Sequence, residues 1–588
     1  MRPQELKLQA QIPSLRWLSE RVWSVEHAFE RAKAENRATE DTRVRIALVW
    51  SAFAAVFAVL ALGAVKAAVL HGDGAGGWSL APAAARADLV DREGRLLATN
   101  LTHYGLYLDP AEVWDTGETR RALLSALPSI NYGRLEKGLR GERRIFVHGG
   151  LTPEERAKVH ALGLPGVSFE EEDRRVYPLG VGAGHLIGWS DTGGRGLAGV
   201  EKAFDEEIRA AGLKGQTFSL SIDLRVQAAL EDELRRAAAA QNADGAVGVI
   251  TNARTGEILA VSSWPEVDPN APAAGGPNAA LNRAAASVYE MGSTFKVFTV
   301  AMGLDTGAAS LDSTFDAKAP LRIGGRAISD FHAENRVMTL EDVFIHSSNI
   351  GTSRLALTMG APAMRRYFGN MGLLAPAQVE LVESARPIVP RQWNENTVAS
   401  ASFGHAISVS PLALSAAMGA VLNGGEYVPL TLRKLGPGEA PEGRRVVSEK
   451  TSRAMLDLMR INVVRGTGSK ANAPGLRVGG KTGSAEKVIG GRYERTRLVS
   501  SFAAVFPTDN RHDEDRWFVL ILMDEPKGNA ETFGLRTGGW TAAPVAGRVI
   551  DRVAPFLGVS RKADPFNTAM GDKIPTPETP GSGLETGL

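Results

Sequence analysis

Cysteine is absent from the 588 residues. That excludes disulfides, thiolate nucleophiles and thiolate-built zinc or iron–sulfur sites, and it leaves the redox compartment open. Net charge is nearly absent as well, since 67 basic and 66 acidic side chains leave +1. There is thus no bulk electrostatic case for nucleic-acid binding. No repeat period is found, because the 64 glycines are scattered along the chain. Collagen-like and solenoid architectures are excluded on that ground. The composition, 44% hydrophobic and 23% charged, is that of folded protein, and the length allows about two to four domains.

A long apolar run occurs once. Residues 46–65 read IALVWSAFAAVFAVLALGAV, twenty positions without a charge, between Arg45 and Lys66. At about 1.5 Å per residue such a helix spans a bilayer core of roughly 30 Å. A cleavable signal peptide needs a short basic start and a shorter apolar core, whereas 45 mixed residues come first here. The run has no polar face, which argues against a buried core helix. Nine Lys or Arg precede it, with Arg43 and Arg45 abutting. The positive-inside rule then predicts a single-pass anchor over 46–66, residues 1–45 in the cytoplasm and the remainder outside.

Beyond the anchor, the stretch from Gly72 to Ala87 is rich in Gly, Ala and Pro and reads as a flexible exit. Residues from about 88 to 235 mix short alternating runs with charged helical patterns, such as the turn at Asp91–Gly94 and the helix within Thr152–Leu162. From Gly245 the runs GAVGVIT and EILAVSS predict a hairpin of buried strands. A helix-rich stretch follows over about 292–465. Strands return at 500–507 and 516–524, and an amphipathic helix closes the region within Thr541–Leu557. Strands that open and close a region with helices between them predict an α+β fold, an antiparallel sheet covered by helices. The predicted organisation is a tail (1–45), an anchor (46–66), an elongated domain (67–235), a larger α+β domain (236–560) and a disordered tail (561–588).

Three short motifs carry chemistry. In Gly292-Ser293-Thr294-Phe295-Lys296 the hydroxyl and amine at i and i+3 share one face of a helix start. A serine becomes nucleophilic when a neighbouring base takes its proton, and burial or a second cation keeps a lysine neutral enough to serve. Alone, S-x-x-K is a common coincidence. Ser347-Ser348-Asn349 follows the helical MTLEDVFIH and predicts a loop presenting a proton-relaying hydroxyl and a carbonyl-binding amide. A helix cap or Asx-turn is the plainer reading of those residues. His346 reads as a packing or surface residue. Finally, Lys481-Thr482-Gly483-Ser484 places a cation, two hydroxyls and a side-chain-free position on a strand, a set that suits a carboxylate and a closely approaching peptide. GLRVGGKT (475–482) also fits the spacing of a phosphate loop, but no convincing apolar helix follows it.

Together and in order, S-x-x-K, a Ser-x-Asn triplet and K-T-G resemble the penicillin-binding transpeptidases and class A β-lactamases. The resemblance continues through Asn282-Arg283, Trp264-Pro265, Asp268-Pro269-Asn270, Phe403-Gly404-His405, Ser410-Pro411 and Ser500-Ser501-Phe502 with Pro507. Upstream, the stretch from Arg86 to Gly94 is similar to the R-G-x-I-x-D-R-x-G box of class B members. So are Arg175-Val176-Tyr177-Pro178, the stretch from Gly196 to Glu201, and Ser221-Ile222-Asp223 with Gln227. Ala87 in place of Gly and Met291 in place of Pro are departures that touch no reacting group. By this resemblance, residues 67–235 form a pedestal or dimerisation-type domain and 236–560 a transpeptidase domain of serine β-lactamase-like fold.

The resemblance implies that Ser293 attacks a D-Ala-D-Ala stem peptide with Lys296 as base. Backbone N–H groups of Ser293 and Ser484 would hold the oxyanion, and Ser347 would pass a proton to the departing D-Ala. Lys481, Thr482, Gly483 and Ser484 would engage the substrate carboxylate and backbone, and Asn349 the donor peptide. A second stem peptide's amine would resolve the acyl-enzyme, and β-lactams would acylate the same serine. No metal or organic cofactor is called for. None of the glycosyltransferase motifs of class A members is found in residues 67–235. A middle motif of S-S-N resembles the septal, FtsI-type branch, which implies an FtsW-type polymerase and other division proteins as partners at the bacterial inner membrane. An elongation-type transpeptidase, a membrane-bound β-lactamase or carboxypeptidase, and a β-lactam sensor or inactive scaffold are the alternative readings.

Overall fold

The computed structural model describes residues 49–61 and 86–563, apart from 437 and 440. The chain divides into two units, Met1–Pro82 and Ala83–Leu588. In the first, residues 49–61 are helical, with Trp50, Phe53 and Phe57 exposed. Among the described residues no helix is long and apolar enough to cross a membrane. The rest of the predicted 46–66 anchor and the tail 1–45 lie outside the described residues, as does the end of the chain from 564.

The second unit begins with a five-stranded sheet. Its strands are β1 (Leu89–Val90), β2 (Leu96–Leu108), β3 (Ile145–Leu151), β4 (Val167–Val176) and β5 (Phe218–Ser219). They run in the order β3-β2-β1-β5, with β4 also paired to β2, and β1 and β5 are parallel. Asp91 closes the predicted turn by accepting from Glu93 N and Arg95 N at 2.9 and 2.8 Å. The helix Pro153–His160 starts on a capping box, with Thr152 accepting from Glu155 N and Glu155 accepting from Thr152 N. The long ends of β2 to β4 and three helices enclose a separate small core around Leu106, Leu123, Leu135 and Val147.

Near β5 lies a buried ion cluster. Arg86 donates to Glu201 at 3.0 and 2.5 Å, Arg175 donates to the other carboxylate oxygen at 2.7 Å, and Tyr177 adds a longer bond at 3.4 Å. The side chains of Glu201, Arg86 and Arg175 are 0%, 2% and 4% exposed. Removing one member of such a cluster strands the others in low dielectric. Glu201→Ala is therefore expected to destabilise the protein by about 3–5 kcal/mol in denaturant unfolding. Glu201→Gln, which keeps the shape and one of the two acceptor oxygens, should fall between it and wild type.

The larger α+β region is built on a second five-stranded sheet. Its first strands are β6 (Gly245–Asn252) and β7 (Ile258–Trp264), the predicted hairpin. Short strands β8 (Thr314–Asp316), β9 (Leu321–Ile323), β10 (Arg326–Ile328), β11 (Val337–Thr339), β12 (Glu426–Tyr427) and β13 (Arg444–Arg445) make two-stranded ribbons. The sheet is completed by β14 (Gly479–Ile489), β15 (Arg492–Phe506) and β16 (Trp517–Asp524), in the antiparallel order β14-β15-β16-β6-β7.

β6, β7, β16 and the second half of β15 read as nearly continuous apolar runs because both faces are covered. Ala246, Ile250, Phe502, Ala504, Val519 and Ile521 pack under the helices Leu224–Ala240 and Ala542–Val553. Their alternates Val247, Val249, Ala503, Val505, Phe518 and Leu520 face the helices Lys296–Asp305, Pro411–Leu422 and Glu449–Arg465. A one-residue slip would exchange the two faces, so the register is tightly specified. β14 has a partner on one side only, and that free edge is where the site forms.

Candidate active site

Ser293 stands on a single 3-10 turn, Gly292–Phe295, that runs into the helix Lys296–Asp305. The turn is anchored from below by fully buried Phe295, edge to face with Phe298 and Phe368 at 5.3 and 5.7 Å. Aromatic pairs of this kind contribute about 0.5–1.5 kcal/mol each beyond burial. Gly292 has φ +56°, and a Cβ there would lie 2.6 Å from the Ser484 carbonyl oxygen. Only glycine lets the turn lie this close to β14. Ser293 is half-buried, and its hydroxyl has no hydrogen-bond partner among the described residues.

Lys296 sits one turn further on and is fully buried. Its Nζ contacts the Ser347 carbonyl, Ser347 Oγ at 3.1 Å and Asn349 Oδ1 at 2.8 Å. Lys481, fully buried on β14, donates to the same Ser347 Oγ at 2.9 Å. One hydroxyl therefore bridges two amines. Burial, and then the neighbouring Lys481, hold Lys296 well below the ordinary lysine range, while Asp330 opposes them. Burial brings Lys481 down to about 7.

The hydrogen-bond count favours a neutral Lys296. A neutral amine has two N–H groups for Ser347 O and Asn349 Oδ1, and one lone pair for the Ser347 hydroxyl proton. Ser347 Oγ can then accept from Lys481. If both lysines were charged, the Ser347 proton would have no acceptor among these groups. The satisfied arrangement is a relay from Lys481 through Ser347 to Lys296.

Ser347 takes part through both its carbonyl and its hydroxyl, and its backbone is left-handed at φ +60°. Such a conformation costs a non-glycine residue roughly 1–2 kcal/mol and persists where its surroundings hold it. Ser348 is the N-cap of the helix Asn349–Asn370 and accepts from Gly351 N at 3.0 Å. The capping role expected of such residues thus falls to Ser348. Asn349 belongs to the first turn of that helix, not to a loop, and its Nδ2 donates to Ser329 O at 3.0 Å. His346 lies on the outer side, 3.4 Å from Glu334.

Lys481, Thr482, Gly483 and Ser484 are consecutive on β14, so the phosphate-loop reading fails: the Lys-Thr pair lies inside an antiparallel strand. Thr482 Oγ1 bonds Thr467 Oγ1 at 2.9 Å, and Ser484 Oγ accepts from Gly538 N at 3.0 Å. A Cβ at Gly483 would lie 2.4 Å from both Met291 O and Ser501 Oγ. Gly404 and Gly538 are equally confined, with Cβ positions 2.2 Å from Gly292 O and 2.4 Å from Gly483 O. The free edge of β14, the Ser293 turn and the Ser347 segment thus meet in one cleft.

Several residues that shape this cleft carry no motif. Asp330 holds the Ser348–Ile350 segment. Asn462 reaches Gly480 O at 2.7 Å and Thr467. Glu290 accepts from Ala406 N at 2.8 Å and from the Tyr493 hydroxyl at 3.2 Å, and burial raises its carboxyl to about 7. His405, packed between Phe403 and Tyr493, is lowered by burial to about 4 and is neutral at physiological pH. No group of acidic or histidine side chains among the described residues could hold a metal ion.

An antiparallel sheet between helical layers, with a serine turn and two buried lysines at its free edge, defines a serine acyl-transfer fold of the penicillin-binding class. The chain belongs to the penicillin-binding protein transpeptidase family: residues 246–551 match the penicillin binding protein transpeptidase domain, and residues 82–218 the penicillin-binding protein dimerisation domain. It is 57% identical to a probable peptidoglycan D,D-transpeptidase FtsI of Caulobacter vibrioides, over 96% of this chain and 97% of that one. It is 30% identical to the peptidoglycan D,D-transpeptidase FtsI of Escherichia coli K12, over 83% and 86% of the two chains. Similarity to a probable peptidoglycan D,D-transpeptidase PenA of Neisseria gonorrhoeae is 29%, over 81% and 85%.

Proposed function

We infer that this chain is a peptidoglycan D,D-transpeptidase that cross-links stem peptides in septal wall synthesis through an acyl-enzyme on Ser293. The observation that carries the reading is the Ser347 hydroxyl shared by Lys296 and Lys481 beside the Ser293 turn. Lys296 takes the Ser293 proton as Oγ attacks the penultimate carbonyl of a peptide ending in D-Ala-D-Ala. Backbone N–H groups of Ser293 and Ser484 receive the oxyanion. The proton passes through Ser347 to the departing D-Ala amine, and the ester at Ser293 remains. The amine of a second stem peptide then attacks the ester carbonyl, returns its proton along the same relay and releases the cross-linked product.

Lys481, Thr482 and Ser484 serve the substrate carboxylate, and Gly483 leaves room for its backbone. Asn349 orients the donor peptide. β-Lactams mimic the donor and acylate Ser293. The FtsI name of two relatives and the Ser347-Ser348-Asn349 motif support the septal role. The charge-free run 46–65, with Arg43 and Arg45 before it, supports an inner-membrane anchor with residues 1–45 in the cytoplasm and the catalytic region outside. An FtsW-type polymerase and other division proteins are the matching partners.

Fluorescent penicillin followed by mass spectrometry of the labelled peptide tests the chemistry. One adduct on Ser293, lost in Ser293→Ala, is the expected result. An adduct elsewhere, or one that survives the substitution, refutes the mechanism. Depletion in cells tests the role: filaments fit septal synthesis, and round cells fit elongation.

A further inference from the structure

We infer that Asp330 is a positioning residue of the acyl-transfer site, which clamps the Ser348–Ile350 helix start beside Ser347 and supplies a counter-charge to Lys296. The inference rests on the reading of Ser293 and Lys296 given above. Asp330 follows β10 in a stretch without regular structure and is half-buried. Its Oδ2 accepts from Ser348 Oγ at 2.7 Å and its Oδ1 from Ile350 N at 2.9 Å. Ser329 O accepts from Asn349 Nδ2 at 3.0 Å. Two consecutive residues therefore hold three consecutive residues of the helix start.

That clamp acts on the residue next to the strained one. Ser347 at φ +60° is held upstream by its own N–H on Phe344 O at 3.2 Å and by Ser348 N on Val343 O at 2.9 Å. Downstream it is held through Ser348 by Asp330. A carboxylate accepting from a hydroxyl and a backbone N–H makes charge-assisted bonds, roughly twice as strong as neutral ones. With the downstream half released, Ser347 is free to relax out of the left-handed region, and one hydroxyl can no longer serve both amines.

The second role is electrostatic. Three charged or titratable groups face Lys296: Lys481 from β14, His405 from the segment after the helix Glu395–Ala401, and Asp330. Lys481 disfavours a proton on Lys296, His405 is neutral near pH 7, and Asp330 favours the proton. A general base works best when its pKa lies near the working pH, since an amine driven too low is mostly free but weakly basic. Asp330 limits how far burial and Lys481 drive Lys296 down. It touches no reacting atom and acts through Ser348, Ile350 and the field at Lys296.

Two variants of the full chain separate these roles. Acylation of Ser293 by fluorescent penicillin is followed as a second-order rate from acid to alkaline pH. Asp330→Asn keeps the shape and an acceptor and removes the charge. Its acid limb is expected to move to lower pH by a few tenths of a unit to about one unit, with a lower plateau. Ser348→Ala keeps the charge and cuts one clamp bond together with the cap on Gly351 N, so its rate should fall several-fold with the limb in place. An Asp330→Asn limb that coincides with wild type overturns the electrostatic role. A Ser348→Ala protein that acylates at the wild-type rate overturns the clamp, whatever the state of the first variant. 15N NMR of the lysine Nζ groups reads the Lys296 titration directly, so the inference is decided even if wild type takes no label on Ser293. That last outcome refutes the transpeptidase chemistry instead.

Discussion

Lys296→Met is expected to slow acylation of Ser293 by penicillin about 10²–10⁴-fold at neutral pH, the usual contribution of one positioned general base. Methionine matches the length and apolar body of lysine, so the fully buried position is refilled without a cavity. The amine's partners lose a donor, because Asn349 Oδ1 and Ser347 O are two acceptors left to water. That costs about 1–3 kcal/mol, offset in part by no longer burying an ionisable group. The protein should therefore fold, and circular dichroism with thermal unfolding checks that it does. Arginine is the wrong control, because it stays charged at any pH in a site that favours the neutral amine. A loss below tenfold would hand the base role to another group, with Lys481 first in line.

Gly483→Ala should be nearly as damaging, for a steric reason. The new Cβ would stand 2.4 Å from Met291 O, a backbone atom two residues before Ser293. It would stand equally close to Ser501 Oγ, and 2.9 Å from Thr294 Cγ2. A serine hydroxyl can turn aside, but the Met291 carbonyl moves only with the nucleophile turn. β14 and that turn must separate by something like an ångström, and misplacement on that scale costs about 10²-fold in rate. Overpacking adds about 1–3 kcal/mol of lost stability. Acylation rate and thermal midpoint should fall together. Gly490→Ala is the comparison, at φ +58° on the hairpin between β14 and β15 with nothing within 4 Å of its Cβ. It should acylate as wild type does. Wild-type acylation by Gly483→Ala would mean that the contact between β14 and the turn is not needed.

Much of this arrangement was legible in the chain, for identifiable reasons. β6, β7, β15 and β16 announce themselves because burial on both faces forces unbroken apolar runs. Ser293, Lys296, Ser347, Asn349 and Lys481 are short-range motifs, and only their co-occurrence made them informative. The structure brings Lys296, Ser347, Asn349 and Lys481 into one hydrogen-bond network across separations of up to 185 positions (296 to 481). Asp330 was not legible. It sits in GGRAISDFH, among turn and surface residues, and its partners Ser348 and Ile350 are 18 and 20 positions away. Glu290 and Asn462 were missed for the same reason, since a lone polar residue acquires meaning only from a distant neighbour. The ribbons β8–β11 escaped because three-residue strands leave no period to detect.

The joint between the pedestal and the catalytic region has a consequence for inheritance. One apolar core runs from Leu89, Leu97, Val200 and Phe204 through Leu220 and Ile222 to Val247, Phe298 and Leu432. Segment 431–433 is hydrogen-bonded both to Ser221, leaving the pedestal, and to Ile258 of β7. A crossover between two divergent genes within residues 219–244, where the pedestal runs into the helix Leu224–Ala240, would pair half of that core with a stranger's half. Volume mismatches of even a methylene are felt in a close-packed interior. Mosaic alleles of such a gene should therefore exchange the pedestal base and the catalytic region as a block.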